Sequence, residues 1–210
     1  VKQNFCRDSI KKENVASVVN KELSREQIKR EIKPGMRVAI TCGSRGIANI
    51  AIMIKAMVDF VKECGAVPFV FPAMGSHGGA TDAGQRQVLA SYGVTEDYLG
   101  CPVLSSMQTK QIGETEDGIP VFIDKNAAEA DAVLLCNRVK AHTAFQGPYE
   151  SGLMKMCTIG MGKQHGAEFC HESGFKNMAV NVPKIARVIL KNVNVVAGIA
   201  VIENAFDQTY

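Results

Sequence analysis

The sequence has little of what nucleic-acid-binding and membrane proteins usually need. It has no Trp, and aromatic residues make up 6% of its 210 residues, so few rings are available to stack on single-stranded nucleic acid. The net charge of +3 is weak. The longest apolar stretch, around residues 195–202, is too short to span a bilayer, and the first residues have no signal-peptide apolar core. We therefore expect neither nucleic acid nor a membrane as a partner.

The cysteines do not form a pattern typical of a disulfide framework. There are seven of them, an odd number, and no two form a C-x-x-C pair. Several lie within apolar runs, as Cys136 does at the end of residues 133–136. Free thiols buried in this way indicate a protein of the reducing cytoplasm.

Apolar runs alternate with amphipathic segments along most of the chain. The predicted strands cover residues 36–41, 67–71, 131–139 and 193–202. The predicted helices lie within residues 9–33, 47–64, 81–90, 163–172 and 183–192, the last with Pro183 in its first turn. Short strands are expected near 102–105, 110–114 and 119–123, the last two joined by a hairpin at Asp117-Gly118. This order predicts an α/β fold with a mostly parallel sheet, flanking helices and a short β-hairpin region.

The four histidines all lie between positions 77 and 171, in segments rich in glycine or hydroxyl residues. His77, His142 and the turn that holds Arg45 each follow a predicted strand. Loops at the carboxyl ends of parallel strands line the ligand crevice of such a sheet, so these residues are expected at one edge. Histidine transfers protons near neutral pH and is the commonest metal ligand. The pattern indicates one assembled site, although unrelated surface histidines remain the alternative.

Two glycine-containing turns are candidates for ligand binding. The GSRG turn at residues 43–46 joins a strand to a helix, where free N–H groups favour an anion, and Ser44 and Arg45 are the candidate contacts. A plain strand–helix turn is the alternative. In the GSHGGAT segment at residues 75–81, Gly78 and Gly79 permit close approach of the backbone to a ligand.

The segment from residue 160 to residue 171 leaves several alternatives open. The GMGK sequence at residues 160–163 resembles a phosphate cradle without the spacing of a nucleotide-triphosphatase loop, and Lys163 is either a phosphate contact or a solvated lysine. His165 and His171 are six residues apart and would not share a helical face, and no H-E-x-x-H motif occurs. A zinc hydrolase is therefore disfavoured, and a reactive role for Cys157 or Cys170 has little support.

Taken together, three segments and one histidine resemble the nickel-dependent lactate racemase family. They are GSHGGAT at residues 75–81, NRVKAHT at 137–143, SGLMK at 151–155, and His171. The resemblance extends from Pro34 to Asp207. It implies the acid and base roles for His77 and His142, covalent attachment of a nickel-pincer nucleotide to Lys155, and nickel ligation by His171.

The activity that the resemblance implies is racemisation or epimerisation of a lactate-like 2-hydroxy acid by proton-coupled hydride transfer to that cofactor. Removal of hydride avoids the carbanion that loss of a proton from carbon would create, and a cofactor must accept the hydride. A base on each side of the carbinol serves both enantiomers. The alternatives are a metal-dependent hydrolase that uses His165 and His171, and a non-catalytic nucleotide- or phosphate-binding domain built on the Arg45 and Lys163 turns.

Residues 1–210 are expected to form the N-terminal, cofactor-binding domain of a two-domain protein, with the C-terminal domain outside this chain. The cofactor is expected to be missing from such an isolated domain. Two departures from the family pattern lie where substrate should bind. Cys42 stands where the lactate enzymes have an Asp, and the stretch from His142 to Lys155 is about three residues longer. The resemblance therefore leaves the identity of the hydroxy acid open.

Overall fold

The computed structural model describes residues 5–44, 46–142, 146–172 and 175–210. Its strands are β1 Arg37–Cys42, β2 Val67–Pro72, β3 Thr109–Glu114, β4 Pro120–Asp124, β5 Ala132–Arg138 and β6 Val195–Val201. Its α-helices are α1 Val15–Leu23, α2 Glu26–Lys29, α3 Ile50–Glu63, α4 Asp82–Ser91, α5 Glu96–Leu99, α6 Lys125–Ala128, α7 Gly152–Lys155, α8 Lys163–Glu172 and α9 Phe175–Asn192. Short 3-10 turns cover Lys12–Asn14 and Gly78–Ala80, and a π-helical turn covers Met156–Gly160.

A four-stranded parallel sheet in the order β2-β1-β5-β6 is the centre of the fold. Residues 38–40 of β1 pair with β2 on one side and with β5 on the other. Strands β3 and β4 form a separate antiparallel pair. The predicted α/β fold with a mostly parallel sheet and a hairpin region is confirmed.

Apolar side chains fill both faces of the parallel sheet. Successive residues of β1 and β5 point to opposite faces, as strand geometry requires. Ile40 and Leu134 belong to a core packed beneath α1 and α3, whereas Ala39 and Val133 belong to a second core shared with α9 and the hairpin. Both faces are therefore covered, which is the usual environment of a parallel sheet.

Two details of the predicted elements were wrong. Pro183 lies inside α9 and not in its first turn, because the helix already begins at Phe175. Residues 102–105 form no strand, and only Val103 makes an isolated bridge, with Val70. The amphipathic segment at residues 9–33 contains two helices, α1 and α2, because Ser24 and Arg25 leave the helical path between them.

Two further expectations concern thiols and membrane spans. The six cysteines whose side chains the structure describes are all unpaired, and Cys42, Cys101, Cys136 and Cys157 are buried. Burial raises the pKa of the Cys157 thiol to about 12, which keeps it protonated. Among residues 5–44, 46–142, 146–172 and 175–210, no helix combines the length and apolarity needed to cross a membrane.

The central position of β5 leads to a stability prediction. Leu134 is fully buried between β1 and β6, whereas Leu190 on α9 is 46% exposed. Leu134→Ala should lower the free energy of unfolding by about 2–5 kcal/mol, since it leaves a cavity in a packed interior. Leu190→Ala should cost at most about 0.5 kcal/mol. Urea denaturation of both variants measures the difference, and equal losses would contradict this assignment of the core.

Candidate active site at the carboxyl edge of the sheet

Three loops meet at the carboxyl edge of the parallel sheet. The turn with Ser44 follows β1, the loop with His77 follows β2, and the segment that leads to His142 follows β5. The strand order reverses between β1 and β5, because β2 lies on one side of β1 and β5 on the other. Such a reversal opens a crevice outside the strand ends, where ligands of α/β proteins bind.

The β1 and β2 loops are joined by a contact between Ser44 and His77. The Ser44 hydroxyl hydrogen-bonds to Nδ1 of the exposed His77 ring. The backbone of Ser44 is held in turn, because the Tyr92 hydroxyl donates to its carbonyl oxygen at 2.5 Å. A hydrogen bond at Nδ1 orients the imidazole and leaves Nε2 as the nitrogen that can exchange a proton with a ligand. The predicted site residues Ser44 and His77 are thus brought together.

The glycines after His77 have different surroundings. Gly78 has a φ of +65°, and a Cβ at this position would lie 2.7 Å from the backbone of Gly84 and Gln85. Close packing against α4 therefore accounts for this glycine. Gly79 has a φ of +67°, and a Cβ there would meet no atom within 4 Å. Of the two predicted ligand contacts, Gly79 is the one that faces open space.

The loop after β5 is closed by side-chain bonds to its own backbone. The Ser151 hydroxyl accepts from the Lys140 N–H at 2.7 Å and donates to the Lys140 carbonyl. The Glu150 carboxylate accepts from the N–H of His142 at 2.8 Å and from that of Gly147 at 3.1 Å. These two hydrogen bonds lower the pKa of Glu150, and attraction to the His142 ring adds to them. The backbone of His142 is therefore anchored to a carboxylate.

Lys155 lies on the helix that follows this loop. It is half-buried at the last position of α7, and the helix continues into the π-helical turn. The start of α7 is fixed to the sheet edge, because Asn137 at the end of β5 donates from Nδ2 to the Gly152 carbonyl at 2.9 Å. A Cβ at Gly43 would lie 3.4 Å from the Met156 side chain, so the turn after β1 borders the same segment. Single π turns in helices occur frequently at functional sites.

Lys163 points into the protein and not toward the crevice. Its side chain is fully buried, and Nζ donates to the Pro72 carbonyl at 2.5 Å and to Gln85 Oε1 at 3.0 Å. Asp124 Oδ2 lies 3.2 Å from the same nitrogen. Burial lowers the pKa of Lys163 and raises that of Asp124, and their mutual attraction opposes both shifts. A contact between Lys163 and a ligand phosphate does not follow from this position.

Arg45 and the two histidines of α8 are the remaining predicted site residues. His165 is exposed on α8, with its ring centroid 4.2 Å from that of Phe122 and Nδ1 3.2 Å from the Thr109 hydroxyl. His171 lies on the same helix, but its side chain is outside the described part of the structure, as is Arg45. Among the side chains that the structure does describe, no three His, Cys, Asp or Glu residues form a metal-binding group.

Comparison with known proteins agrees with this architecture. The family model of the lactate racemase N-terminal domain matches residues 2–180. The chain belongs to this family. The solved structure of the lactate racemase apoprotein from Thermoanaerobacterium thermosaccharolyticum is similar in fold, with a TM-score of 0.64 and 13% sequence identity over 99% of this chain. The match covers 52% of that protein, so the present chain spans about half of its length. No curated protein sequence matches.

Three residues without a sequence motif, Gln85, Tyr92 and Glu150, hold the backbone of the site loops. Gln85 donates to carbonyls of the His77 loop, Tyr92 donates to the Ser44 carbonyl, and Glu150 accepts from backbone N–H groups of the loop after β5. Gln85 could have been found, because it precedes Leu89 by four residues and so places an amide on the buried face of α4. Glu150 had no such signal, since an acidic residue in a polar loop is ordinarily solvated.

The Glu150 bonds generate a pH prediction. Because its folded-state pKa lies below the ordinary value of 4.5, these bonds stabilise the loop above that pH and are lost as the pH falls through the lowered pKa. The amide protons of His142 and Gly147 should therefore titrate together in NMR spectra, with a midpoint below 4.5.

Two variants test this assignment. Glu150→Gln should abolish the shared titration step, whereas Glu116→Gln, at an exposed position in the β3–β4 hairpin, should leave it in place. A step that persists in Glu150→Gln would show that another group controls the loop.

Proposed function

We propose that this chain is the catalytic and cofactor-binding half of a racemase or epimerase of a 2-hydroxy acid. The observation that carries the proposal is the placement of the His77 and His142 loops on either side of the end of β1, in a chain of the lactate racemase N-terminal domain family. Strands β2 and β5 are two strand spacings apart, about 10 Å. This separation suits a small substrate with one base on each side.

In this proposal each imidazole acts on the substrate hydroxyl from its own side. One ring takes the hydroxyl proton as the carbinol carbon is oxidised, and the ring on the opposite side, which is protonated, donates a proton to the oxygen when the carbon is reduced from the other face. Conversion of the other enantiomer uses the same two rings with their roles exchanged. Histidine suits both directions, because its ordinary pKa lies near the working pH. The Ser44 bond to Nδ1 keeps Nε2 of His77 for this purpose.

Lys155 and His171 are the residues that would hold a nickel-pincer nucleotide. Lys155 is half-buried on a helix anchored to the sheet edge, and a primary amine in such a position can form a covalent thioamide. His171 would supply an imidazole, a ligand type that suits nickel, to the same group. When bound, this cofactor supplies the hydride acceptor that the reaction requires.

The proposal assigns the remaining contacts at the crevice. Arg45 anchors the substrate carboxylate, with Ser44 and Gly79 bordering the space that ligand occupies. A C-terminal domain of the same protein closes over the site, and free buried thiols support a cytoplasmic location. The two alternative functions have less support, because the His165 ring packs against Phe122 and the Lys163 side chain is buried.

The tether role of Lys155, its proposed covalent attachment to the cofactor, is tested by mass spectrometry. The full-length protein, expressed with the cofactor-synthesis proteins, should carry a covalent adduct that Lys155→Ala abolishes while the thermal unfolding curve is unchanged. Lys191→Ala, at an exposed position near the end of α9, is the matched control and should retain the adduct. Intact-mass spectrometry reads out both variants. An adduct retained by Lys155→Ala would remove the tether role and with it this form of the function.

The metal role of His171 is tested against His165. Six residues on a helix separate two side chains by about 120°, so both rings do not readily reach one ion. His171→Ala should lose nickel, measured by elemental analysis of the cofactor-loaded protein. His165→Ala should keep nickel and lose only modest stability, because its ring packs against Phe122. The opposite result would reverse the assignment.

A further inference from the structure

A buried chain of polar side chains connects the interior of the domain to the His77 loop. Asp124, Lys163 and Gln85 each have no exposed surface. Lys163 Nζ lies 3.2 Å from Asp124 Oδ2 and donates to Gln85 Oε1 at 3.0 Å. From the other end of the amide, Gln85 Nε2 donates to the carbonyl of Gly75 at 2.8 Å and to that of His77 at 3.1 Å.

The chemistry of this chain allows only one orientation of the amide. An ammonium group donates and cannot accept, so the Gln85 oxygen must face Lys163. The amide nitrogen then faces the two carbonyls, both of which require donors. If the amide were reversed, its NH2 would face the ammonium and its oxygen would face two carbonyl oxygens. Lys163 therefore fixes which end of Gln85 meets the His77 loop.

The two carbonyls that Gln85 binds belong to Gly75 and to His77 itself, so the amide holds the backbone at and just before the histidine. The ring is held from the other side by Ser44, whose carbonyl is bonded to Tyr92. The position of the imidazole therefore depends on the buried amide as well as on the surface serine.

Stability alone does not explain why such groups are buried. Removing a lysine, a carboxylate and an amide from water costs free energy, and well-packed apolar side chains often replace a buried ion pair without loss of stability. A buried polar group can instead select one arrangement among several. Here the arrangement selected is that of the loop that presents His77.

We propose that Gln85, oriented by Lys163, is a positioning residue that holds the His77 imidazole in its working place. The inference rests on the proposed function only in giving His77 a catalytic role. The placement of the ring is measurable without any cofactor, so the two proposals can fail separately.

The decisive variant is Gln85→Glu in the full-length protein. The two side chains have the same shape, and the new carboxylate would share the Lys163 ammonium with Asp124. It would, however, offer no donor to Gly75 and His77. Thr115→Val is the matched control, because it removes a buried hydroxyl with two hydrogen bonds, to Asp117 and from Ile119, in the β3–β4 hairpin.

The first readout is the NMR spectrum of protein with isotope-labelled histidine, in which the His77 signals are identified by their loss in His77→Gln. Gln85→Glu should shift the His77 ring signals and change their pH titration, and it should leave the His165 signals in place. Thr115→Val should leave both in place. Unchanged His77 signals in Gln85→Glu would overturn the proposal, as would an equal shift in the control.

The second readout is the kinetics of the cofactor-loaded enzyme. A displaced base should lower kcat by about 100-fold with little change in KM, because misplacement by about 1 Å has a cost of that size. If Gln85→Glu and Thr115→Val changed kcat by the same factor and KM by the same factor, Gln85 would have only a structural role. If the protein has no racemase activity but the His77 signals shift, the positioning role stands and the proposed function fails.

A second variant covers failure of Gln85→Glu to fold. Gln85→Met keeps the side-chain volume, leaves Lys163 bonded to Pro72 and beside Asp124, and removes the same two donors. The same shift of the His77 signals is expected. Signals identical to those of the unsubstituted protein would overturn the proposal by this route as well.

Discussion

The parallel pairing of β1 with two neighbours is the interaction on which the rest of the structure depends. Residues 38–40 pair with β2 on one side and with β5 on the other, so the carboxyl ends of three strands lie at the same edge. Without this register the Ser44 turn, the His77 loop and the His142 loop would not share an edge. The apolar side chains of β1 alternate between two cores, which also fixes the register, because a slip of one residue would exchange the two faces. The candidate site is thus a consequence of how the core packs.

The features best predicted from the sequence are the elements whose apolar residues recur at regular intervals. Strands β1, β2, β5 and β6, helix α3 and the Asp117-Gly118 hairpin lie close to their predicted positions, because each depends on local pattern and burial. The Pro183 error has a physical cause: a proline lacks one donor, and a helix with a strongly amphipathic sequence on both sides of it can continue through that loss. Where a helix begins depends on the balance between a lost hydrogen bond and the packing of the apolar face on both sides of the proline. A single sequence does not give that balance.

The site was only partly accessible to the same reasoning. The strand ends located Ser44 and His77 correctly at one edge, but the groups that hold them come from distant parts of the sequence. Tyr92 is 48 residues from Ser44, and Gln85 meets a lysine 78 residues further along the chain. Lys163 shows the limit most clearly: a lysine after two glycines is typical of a phosphate contact, yet the fold turns its side chain into the interior. Tertiary packing determined the direction of the Lys163 side chain, and the local sequence does not indicate it.

Cys42 shows how the core limits which residues of a strand end can serve a site. It is the last residue of β1, and its side chain packs in the core beside Cys136, where burial raises the thiol pKa far above its ordinary value. The last side chain of β1 is therefore neutral and belongs to the core, so it is not a candidate for contact with a ligand. The functional groups at this edge come instead from the loops that follow the strands, because only there do side chains leave the packed interior.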